Sequence, residues 1–159
     1  MTKVNEAIML ADTYMELATR AVPRVARKKY TFVTATTGAV AAHTLFTVTG
    51  AVKAKIYAIC TESLVPAVAG ATISVGIVGT VDAFIAVTTS ADIDIGEIWF
   101  AAAPITVFNT DANAGGVKNV IGDGADIIAN ILVQAIASGV ITFVCEWEPL
   151  TEGALVVAA

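Results

Sequence analysis

The residues of this chain that could carry out chemistry are few and widely separated. His43 is the single histidine, and Cys60 and Cys145 are the two cysteines. A zinc site needs closely spaced ligands, and a hydrolytic triad needs a nucleophile beside a base that a third residue orients. Neither pattern is present, so we expect a structural His43 in a strand and free, buried thiols. A disulfide between the cysteines stays open, because sequence does not give their Cα separation.

Asp92, Asp94 and Glu97 form the first of two acidic clusters, and they offer oxygen ligands at nearly alternate positions. Such a spacing could hold calcium, but it is not the twelve-residue EF-hand pattern. The same alternation with isoleucines is also typical of an edge strand with one solvent-exposed face, and we favour this interpretation. The second cluster, residues 122–126, is more simply a turn, because Asp-Gly suits positions that need positive φ.

Glu146 and Glu148 flank Trp147 in a strand-like segment and therefore share one face. A glycosidase uses two carboxylates in this way. However, aromatic residues, on which sugars stack, make up only 7% of the chain. Lys53 and Lys55 share a face of another predicted strand. Ion pairing between the two glutamates and the two lysines across a sheet is the alternative interpretation.

Phosphate and nucleic-acid motifs are also weak. Residues 115–118, Gly-Gly-Val-Lys, lack the spacing and the Ser/Thr of a P-loop. The basic run from Arg24 to Lys29 could touch phosphates, but no aromatic residue is interleaved with it, and the remainder of the chain is acidic. We expect no cofactor, no metal, no nucleic-acid partner and no enzymatic activity.

The composition favours assembly with other proteins. Hydrophobic residues make up 57% of the 159 positions and charged residues only 14%, whereas about 25% charged residues are usual. A monomer this poor in charge would expose a large apolar area unless partners cover it. The Gly-rich, β-branched stretch 64–81 resembles strands more than a membrane-spanning helix, and no signal peptide is visible, so we expect no membrane association.

Charge divides the chain into two regions. Residues 1–29 carry a net charge of +3 and residues 30–159 a net charge of −8. The apolar positions between Val4 and Arg20 recur with helical periodicity, and Pro23 ends this pattern. Residues 22–29 follow as an extended basic connector. This arm either meets a different surface or folds onto its own or a neighbouring acidic body.

From Tyr30 the hydrophobic period changes to two, which indicates strands. We expect an all-β domain over residues 30–159, a β-sandwich or jelly roll of about 8–10 short antiparallel strands. The apolar residues of 126–136 also fit a helical periodicity, but the strand-like sequences on both sides favour a strand. Further strands are expected at 30–36, 43–49, 51–61, 71–78, 83–89, 97–100, 105–109, 117–121 and 140–148, with exposed turns at 92–96 and 110–116.

Two segments carry a resemblance to a known class of proteins. The text from Thr37 to Gly50, Thr-Gly-Ala-Val-Ala-Ala-His-Thr-Leu-Phe-Thr-Val-Thr-Gly, resembles small virion proteins of tailed bacteriophages, as does the text from Ser138 to Leu150. The resemblance covers roughly residues 30–150. It implies a β-sandwich or jelly-roll module that sits on a capsid surface, often as a homotrimer, and is made in the host cytoplasm. It supplies no catalytic residues.

The leading hypothesis is therefore a capsid decoration, or cement, protein that oligomerises and binds the major capsid protein. The alternative is a tail, neck or fibre-base module that binds a partner protein or a host glycan. A third class, a small hydrolase, would need a pocket in which carboxylates surround His43. Under the leading hypothesis the arm contacts the capsid or a neighbouring copy through Val4, Ile8, Leu10, Tyr14, Met15, Arg20, Arg24, Arg27, Lys28 and Lys29.

Overall fold

A computed structural model of the chain describes residues 24–101, 103–105 and 117–159. These residues form two antiparallel sheets that pack face to face, so the prediction of an all-β sandwich is confirmed. The strands are β1 (Arg24–Thr31), β2 (Ala42–Thr49), β3 (Ala51–Pro66), β4 (Thr72–Ile77), β5 (Thr80–Thr89), β6 (Ile98–Trp99), β7 (Val120–Asp123), β8 (Ile127–Leu132), β9 (Ile136–Pro149) and β10 (Leu155–Ala158), with one short 3-10 turn at Ser90–Asp92.

The first sheet, sheet A, has the order β1-β9-β3-β6, and β7 pairs with the start of β3 on the side opposite β9. The second, sheet B, has the order β10-β2-β8-β4-β5. The long strands β3 and β9 pair along most of their lengths, from Val52 opposite Pro149 to Pro66 opposite Ile136. Because successive side chains of a strand point to opposite faces, every second side chain lies in the space between the two sheets. The core is therefore a single apolar layer shared by both sheets.

Aromatic side chains fill the centre of this layer. The Phe143 ring meets the rings of Tyr30 and Trp99 edge to face, with centroids 6.3 and 6.4 Å apart. Phe143 and Trp99 are fully buried. The indole Nε1–H of Trp99 donates a hydrogen bond to Thr88 Oγ1 at 3.0 Å and so joins β6 of sheet A to β5 of sheet B. Burial of the polar indole nitrogen is tolerated because this bond satisfies it.

Residues 126–136, which the sequence left between strand and helix, contain strand β8 and the turn before β9. The preference for a strand was correct. Residues Ile127 to Ile131 are all buried, although successive side chains point to opposite faces. A strand buried on both faces is apolar at every position, which explains why the sequence also matched a helical stripe.

The beginning of the sandwich differs from the sequence prediction. Strand β1 begins at Arg24, so most of the predicted connector 22–29 is a strand that pairs with β9, with Arg24 opposite Trp147. An edge strand tolerates charged side chains. The basic sequence of β1 therefore resembled that of a linker. The predicted strand at 30–36 ends at Thr31, and turns follow it up to residue 40.

Several predictions lie outside the described residues. They are the helix between Val4 and Arg20, the exposed loop 110–116 and most of the predicted strand 105–109. Ile105, which is described, makes a single antiparallel bridge to Ile98.

Candidate interaction surfaces

His43 lies on β2, where its ring serves the packing of the sandwich. Its Nε2 is 2.9 Å from the backbone oxygen of Ala39, which is the distance of a hydrogen bond, and its ring centroid is 6.1 Å from that of Tyr30. These contacts are those expected of a structural histidine in a strand. Among the residues described, no group of three His, Cys, Asp or Glu side chains is arranged to hold a metal ion.

Cys60 and Cys145 are both free and buried, as the sequence predicted. Burial raises the pKa of the Cys60 thiol to about 11 and that of Cys145 to about 12. The thiol of Cys60 also donates to the backbone oxygen of Glu62 at 3.1 Å. Because only the thiolate is a strong nucleophile, both side chains are chemically inert near neutral pH and act as small core residues.

These raised pKa values predict a loss of stability in alkaline solution. The thiols ionise near 9.0 when unfolded, and the phenol of Tyr30, whose pKa burial raises from 10.0 to about 12, behaves in the same way. Groups with raised folded pKa values stabilise the fold fully below pH 9 and lose that contribution as the pH rises toward 12. We expect the urea midpoint to fall between pH 9 and 11.

The control for this pH dependence is Cys145→Ala, which removes one of the ionising groups and should flatten the decline. Chemical unfolding followed by tryptophan fluorescence at several pH values measures both proteins. A wild-type midpoint that is the same at pH 8 and pH 11 would contradict the assignment.

The acidic cluster at the end of β5 has a structural use. The carboxylate Oε2 of Glu97 accepts a hydrogen bond from the backbone N–H of Asp94 at 2.8 Å, and Glu97 itself is buried. Glu97 thereby closes the turn that leads into β6. The predicted turn at 92–96 is therefore confirmed, and the edge-strand interpretation of the acidic cluster was wrong. Asp92 and Asp94 are exposed. The carboxylate oxygens do not converge on a common point, and Glu97 is committed to the backbone.

The predicted pairing of lysines and glutamates across sheet A is confirmed. Lys55 Nζ lies 2.7 Å from Glu146 Oε2, and Lys53 Nζ lies 3.8 Å from Glu148 Oε2. The hydrogen bond to Glu146 raises the pKa of Lys55. Both pairs are partly exposed to solvent, and such pairs contribute little to stability. Because each carboxylate is held by its own lysine, this geometry does not provide a glycosidase acid and nucleophile.

A shallow pocket of about 130 Å³ adjoins this ladder of ion pairs. Trp147, which contributes to its lining, is only 4% exposed, so its ring is not available for stacking against a sugar. The ring faces the guanidinium of Arg24 at 5.1 Å instead, in a cation–π contact. The pocket is lined by Lys53, Lys55, Asn119, Glu146, Trp147 and Glu148.

The residues that the sequence assigned to the arm divide into two groups. Arg24, Arg27, Lys28 and Lys29 lie on β1, at the edge of sheet A, and form no ion pair with another residue of the described chain. Their side chains are half-buried or exposed. The remaining arm residues, Val4, Ile8, Leu10, Tyr14, Met15 and Arg20, lie outside the described residues.

Charge is distributed very unequally between the two sheets. The strands of sheet A carry ten Asp, Glu, Lys or Arg residues, whereas those of sheet B carry one, Asp82. The outward-facing side chains of the three central strands of sheet B are therefore uncharged. They are Ala42 and Thr44 of β2, Ile128, Asn130 and Leu132 of β8, and Thr72, Ser74 and Gly76 of β4. Ile128, Asn130, Ser74 and Gly76 are buried, and the backbone of residues 80–82 lies over Gly76.

Three exposed valines continue this surface beyond the strand ends. Val40 precedes β2, Val68 precedes β4 and Val133 follows β8, so all three lie at the same end of sheet B. Their exposures are 53%, 59% and 69%. We call these valines, together with the outward-facing residues of β2, β8 and β4, the uncharged face. Sequence reasoning did not identify it, although the charge-free runs 32–52, 63–81 and 127–145 were a visible signal.

Val133 also has a strained backbone. Its φ is +67°, and it is the one non-glycine residue with positive φ in the described parts of the chain. The N–H of Gln134 bonds to the oxygen of Leu132 at 2.8 Å and closes a three-residue turn around Val133. A β-branched residue in this region is an outlier, and such strain is often kept for function.

Replacing Val133 by glycine is expected to raise the free energy of unfolding by about 1 kcal/mol, because relief of strain exceeds the added chain entropy. Thermal or urea unfolding measures the change. The control, Val87→Gly, removes an exposed valine of β5 that has no positive φ and should destabilise by about 0.5–1 kcal/mol. Equal losses in the two variants would show that Val133 is not strained.

No helix among the residues described here is long and apolar enough to cross a membrane.

Comparison with known proteins gives two structural neighbours. No protein-family model matches the chain, and no curated protein matches it. A chain in the acid-stable capsid structure of Helicobacter pylori bacteriophage KHP30 aligns over 88% of this chain and 96% of its own length, with 13% identity and a TM-score of 0.47. A chain in the capsid asymmetric unit of cyanophage Pam1 aligns over 80% and 84%, with 15% identity and a TM-score of 0.36.

Proposed function

We propose that this chain is a structural protein of a bacteriophage virion, a capsid decoration or cement protein that forms a homo-oligomer and binds the major capsid protein. The observation that carries the proposal is the uncharged face, with its exposed Val40, Val68 and Val133. Exposed apolar side chains grouped at one end of a nearly uncharged sheet are typical of a surface that a partner covers.

The two ends of the sandwich carry different features, which supports a role as a connector between two surfaces. Strand β1 runs from Arg24, at the end of the sheet where β3 begins, to Thr31, at the end where Val40 and Val68 lie. Eight residues of strand span about 26 Å. The chain therefore enters the sandwich at the end opposite the exposed valines, so a partner bound near Arg24 and a partner bound at the valines can be different neighbours.

The arm is the part that we propose contacts the shell. Its described basic residues, Arg24, Arg27, Lys28 and Lys29, lie on an edge strand and lack carboxylate partners within the described chain. Cationic side chains on an edge strand hinder unwanted strand pairing and remain available for an acidic partner surface. The amphipathic stretch from Val4 to Arg20 would supply the apolar part of the same contact.

The test compares purified shells with and without this protein. We expect the complete shells to withstand a higher temperature or a lower ionic strength before they release their contents, as measured by dye access to the packaged genome. Adding back the purified chain should restore the resistance. Shells of identical resistance in both states, or an added chain that does not bind them, would refute a cement function.

The alternative, a tail, neck or fibre-base module that binds a glycan, has less support from the geometry. The pocket beside Trp147 would be its binding site, but the buried indole ring offers no stacking surface. The ion-paired lysines and glutamates around it satisfy each other.

A further inference from the structure

We propose that the free edge of strand β1 accepts an acidic, extended segment of the shell subunit as an additional strand. The inference rests on the shell-binding role proposed above and adds the surface, the binding mode and the chemistry of the partner segment. Its first support is the direction of the backbone groups of β1. The N–H of Phe32 bonds to the oxygen of Gly139 at 3.0 Å, in the same register that places Arg24 opposite Trp147.

The alternation of an antiparallel ladder then assigns the other backbone groups of β1. The even-numbered residues bond to β9, whereas the N–H and C=O groups of Val25, Arg27 and Lys29 point away from it. The hydroxyl of Thr37 donates to the oxygen of Thr31 at 2.6 Å, as expected if the odd-numbered residues face the free edge. Within the described chain no strand pairs with this edge, so its backbone groups can receive an added strand.

The side chains beside these free backbone groups are cationic and unpaired within the described chain. Arg27 lies opposite Val144 of β9 and Lys29 lies opposite Thr142, neither of which carries a charge. Glu146, the next outward-facing residue of β9, already holds a lysine of β3. Both cations are exposed. Carboxylates can therefore meet them from the free side of β1, where cross-strand pairs of opposite charge are favourable.

The same charges argue against a second copy of this chain as the added strand. Pairing β1 with the β1 of another copy would place cations opposite cations. A strand that neutralises the two outward cations needs carboxylates at alternate positions, about 7 Å apart.

The sequence contains two pairs of acidic residues at this spacing, and both are already committed. They are Asp92 with Asp94 and Glu146 with Glu148. The N–H of Asp94 bonds to Glu97 within its turn, and the two glutamates are ion-paired on a central strand. The partner segment therefore comes from another protein, which under the role proposed above is the shell subunit.

Strand β1 is held firmly on its other side, so the edge is preformed. Every residue from Arg24 to Thr31 pairs with β9, and Tyr30 is buried in the core. The guanidinium of Arg24 lies 5.1 Å from the ring centroid of Trp147. Little ordering entropy is therefore lost from β1 when a strand is added.

The test measures binding of the full-length chain to purified shells that lack it, with hydrogen exchange resolved to single residues by mass spectrometry. On binding, exchange at Val25, Arg27 and Lys29 should slow by at least about 10-fold. The N–H groups of Ala26 and Lys28 bond to β9 and should be protected already in the free chain. Strand addition produces this alternating change, whereas a contact through side chains alone does not.

Two sets of variants separate charge from backbone pairing. Arg27→Glu combined with Lys29→Glu should weaken shell binding by about 10–100-fold. The matched control, Lys118→Glu, reverses an exposed cation outside β1 and should bind as the wild type does. Val25→Pro removes one N–H of the free edge and keeps the ladder to β9. It should bind about 10-fold more weakly than Val25→Thr, which retains that N–H.

Circular dichroism and urea unfolding check that each variant is folded. Equal binding by Val25→Pro and Val25→Thr, or by the double charge variant and Lys118→Glu, would overturn the inference. Binding to shells without slower exchange at the free edge would also overturn it, and the cement function would stand. A chain that does not bind shells at all would refute the cement function and this inference together.

Exchange in the free chain tests the other possible occupants of the edge. If the N–H groups of Val25, Arg27 and Lys29 are already protected and stay so on dilution, another segment of the same chain covers the edge. If their protection rises with concentration in the absence of shells, a second copy covers it. Either result would overturn the inference.

Discussion

Replacing Phe143 by alanine should lower the free energy of unfolding by about 3–5 kcal/mol. Phe143 is fully buried at the centre of β9, between β1 and β3, and its ring contacts those of Tyr30 and Trp99. Truncation would leave a cavity where three aromatic rings meet. A domain of this size gains only about 5–15 kcal/mol from folding, so the variant should unfold at a much lower temperature. Calorimetry or urea unfolding measures the loss.

Two further variants show whether the lost volume is the cause. Phe143→Leu keeps most of the apolar volume and should cost less than half as much. Val25→Ala shortens an exposed side chain on β1 and should change stability by no more than about 0.5 kcal/mol. Similar losses at Phe143 and at Val25 would contradict the assigned core.

Replacing Gly76 by alanine should destabilise the protein by about 3 kcal/mol or more, although the change adds a single methyl group. A Cβ atom at residue 76 would overlap the carbonyl oxygen of Thr80 and the backbone carbon of Val81. The start of β5 crosses closely over β4 at this point, and the hydroxyl of Ser74 donates to the oxygen of Val81 at 2.8 Å. Backbone atoms cannot move aside as a flexible side chain can.

The matched control is Gly122→Ala on β7, where a Cβ atom would meet nothing within 4 Å and φ is not positive. We expect that substitution to be neutral or slightly stabilising, because alanine loses less chain entropy on folding. Urea midpoints of the two variants give the comparison. A Gly76→Ala protein as stable as Gly122→Ala would show that β5 does not cross β4 as closely as described.

Much of the fold follows from local sequence. The alternation of apolar and polar residues in β2, β3 and β9 predicted where these strands lie and which side chains face the core, because each strand has one side that is at least partly exposed to solvent. Predictions were wrong where tertiary structure decides the outcome. Residues 24–29 are charged and precede the first apolar alternation, yet they form a strand because β9 offers an unpaired edge to receive them. The segment after Thr31 turns because Gly38 bonds to Val33 and Ile136, and alternation does not report such contacts.

The surfaces were harder to predict than the fold. The pairing of Lys53 and Lys55 with Glu148 and Glu146 could be anticipated. The two lysines lie at alternate positions of one strand, and the two glutamates lie at alternate positions of another. The uncharged face was not identified, because the charge-free runs are visible in the sequence but the sheet order that brings β2, β4 and β8 together, across up to 90 positions, is not. The positive φ of Val133 has no signal in the sequence, since valine is among the residues least expected there.

The most direct test of the central claim is the number of copies of this chain on purified virions, measured by quantitative mass spectrometry against the major capsid protein. A structural protein of the shell should be present in a fixed ratio that survives gradient purification and is the same in independent preparations. A chain that is missing from purified particles, or whose ratio falls toward zero as purification proceeds, would contradict a structural role in the virion.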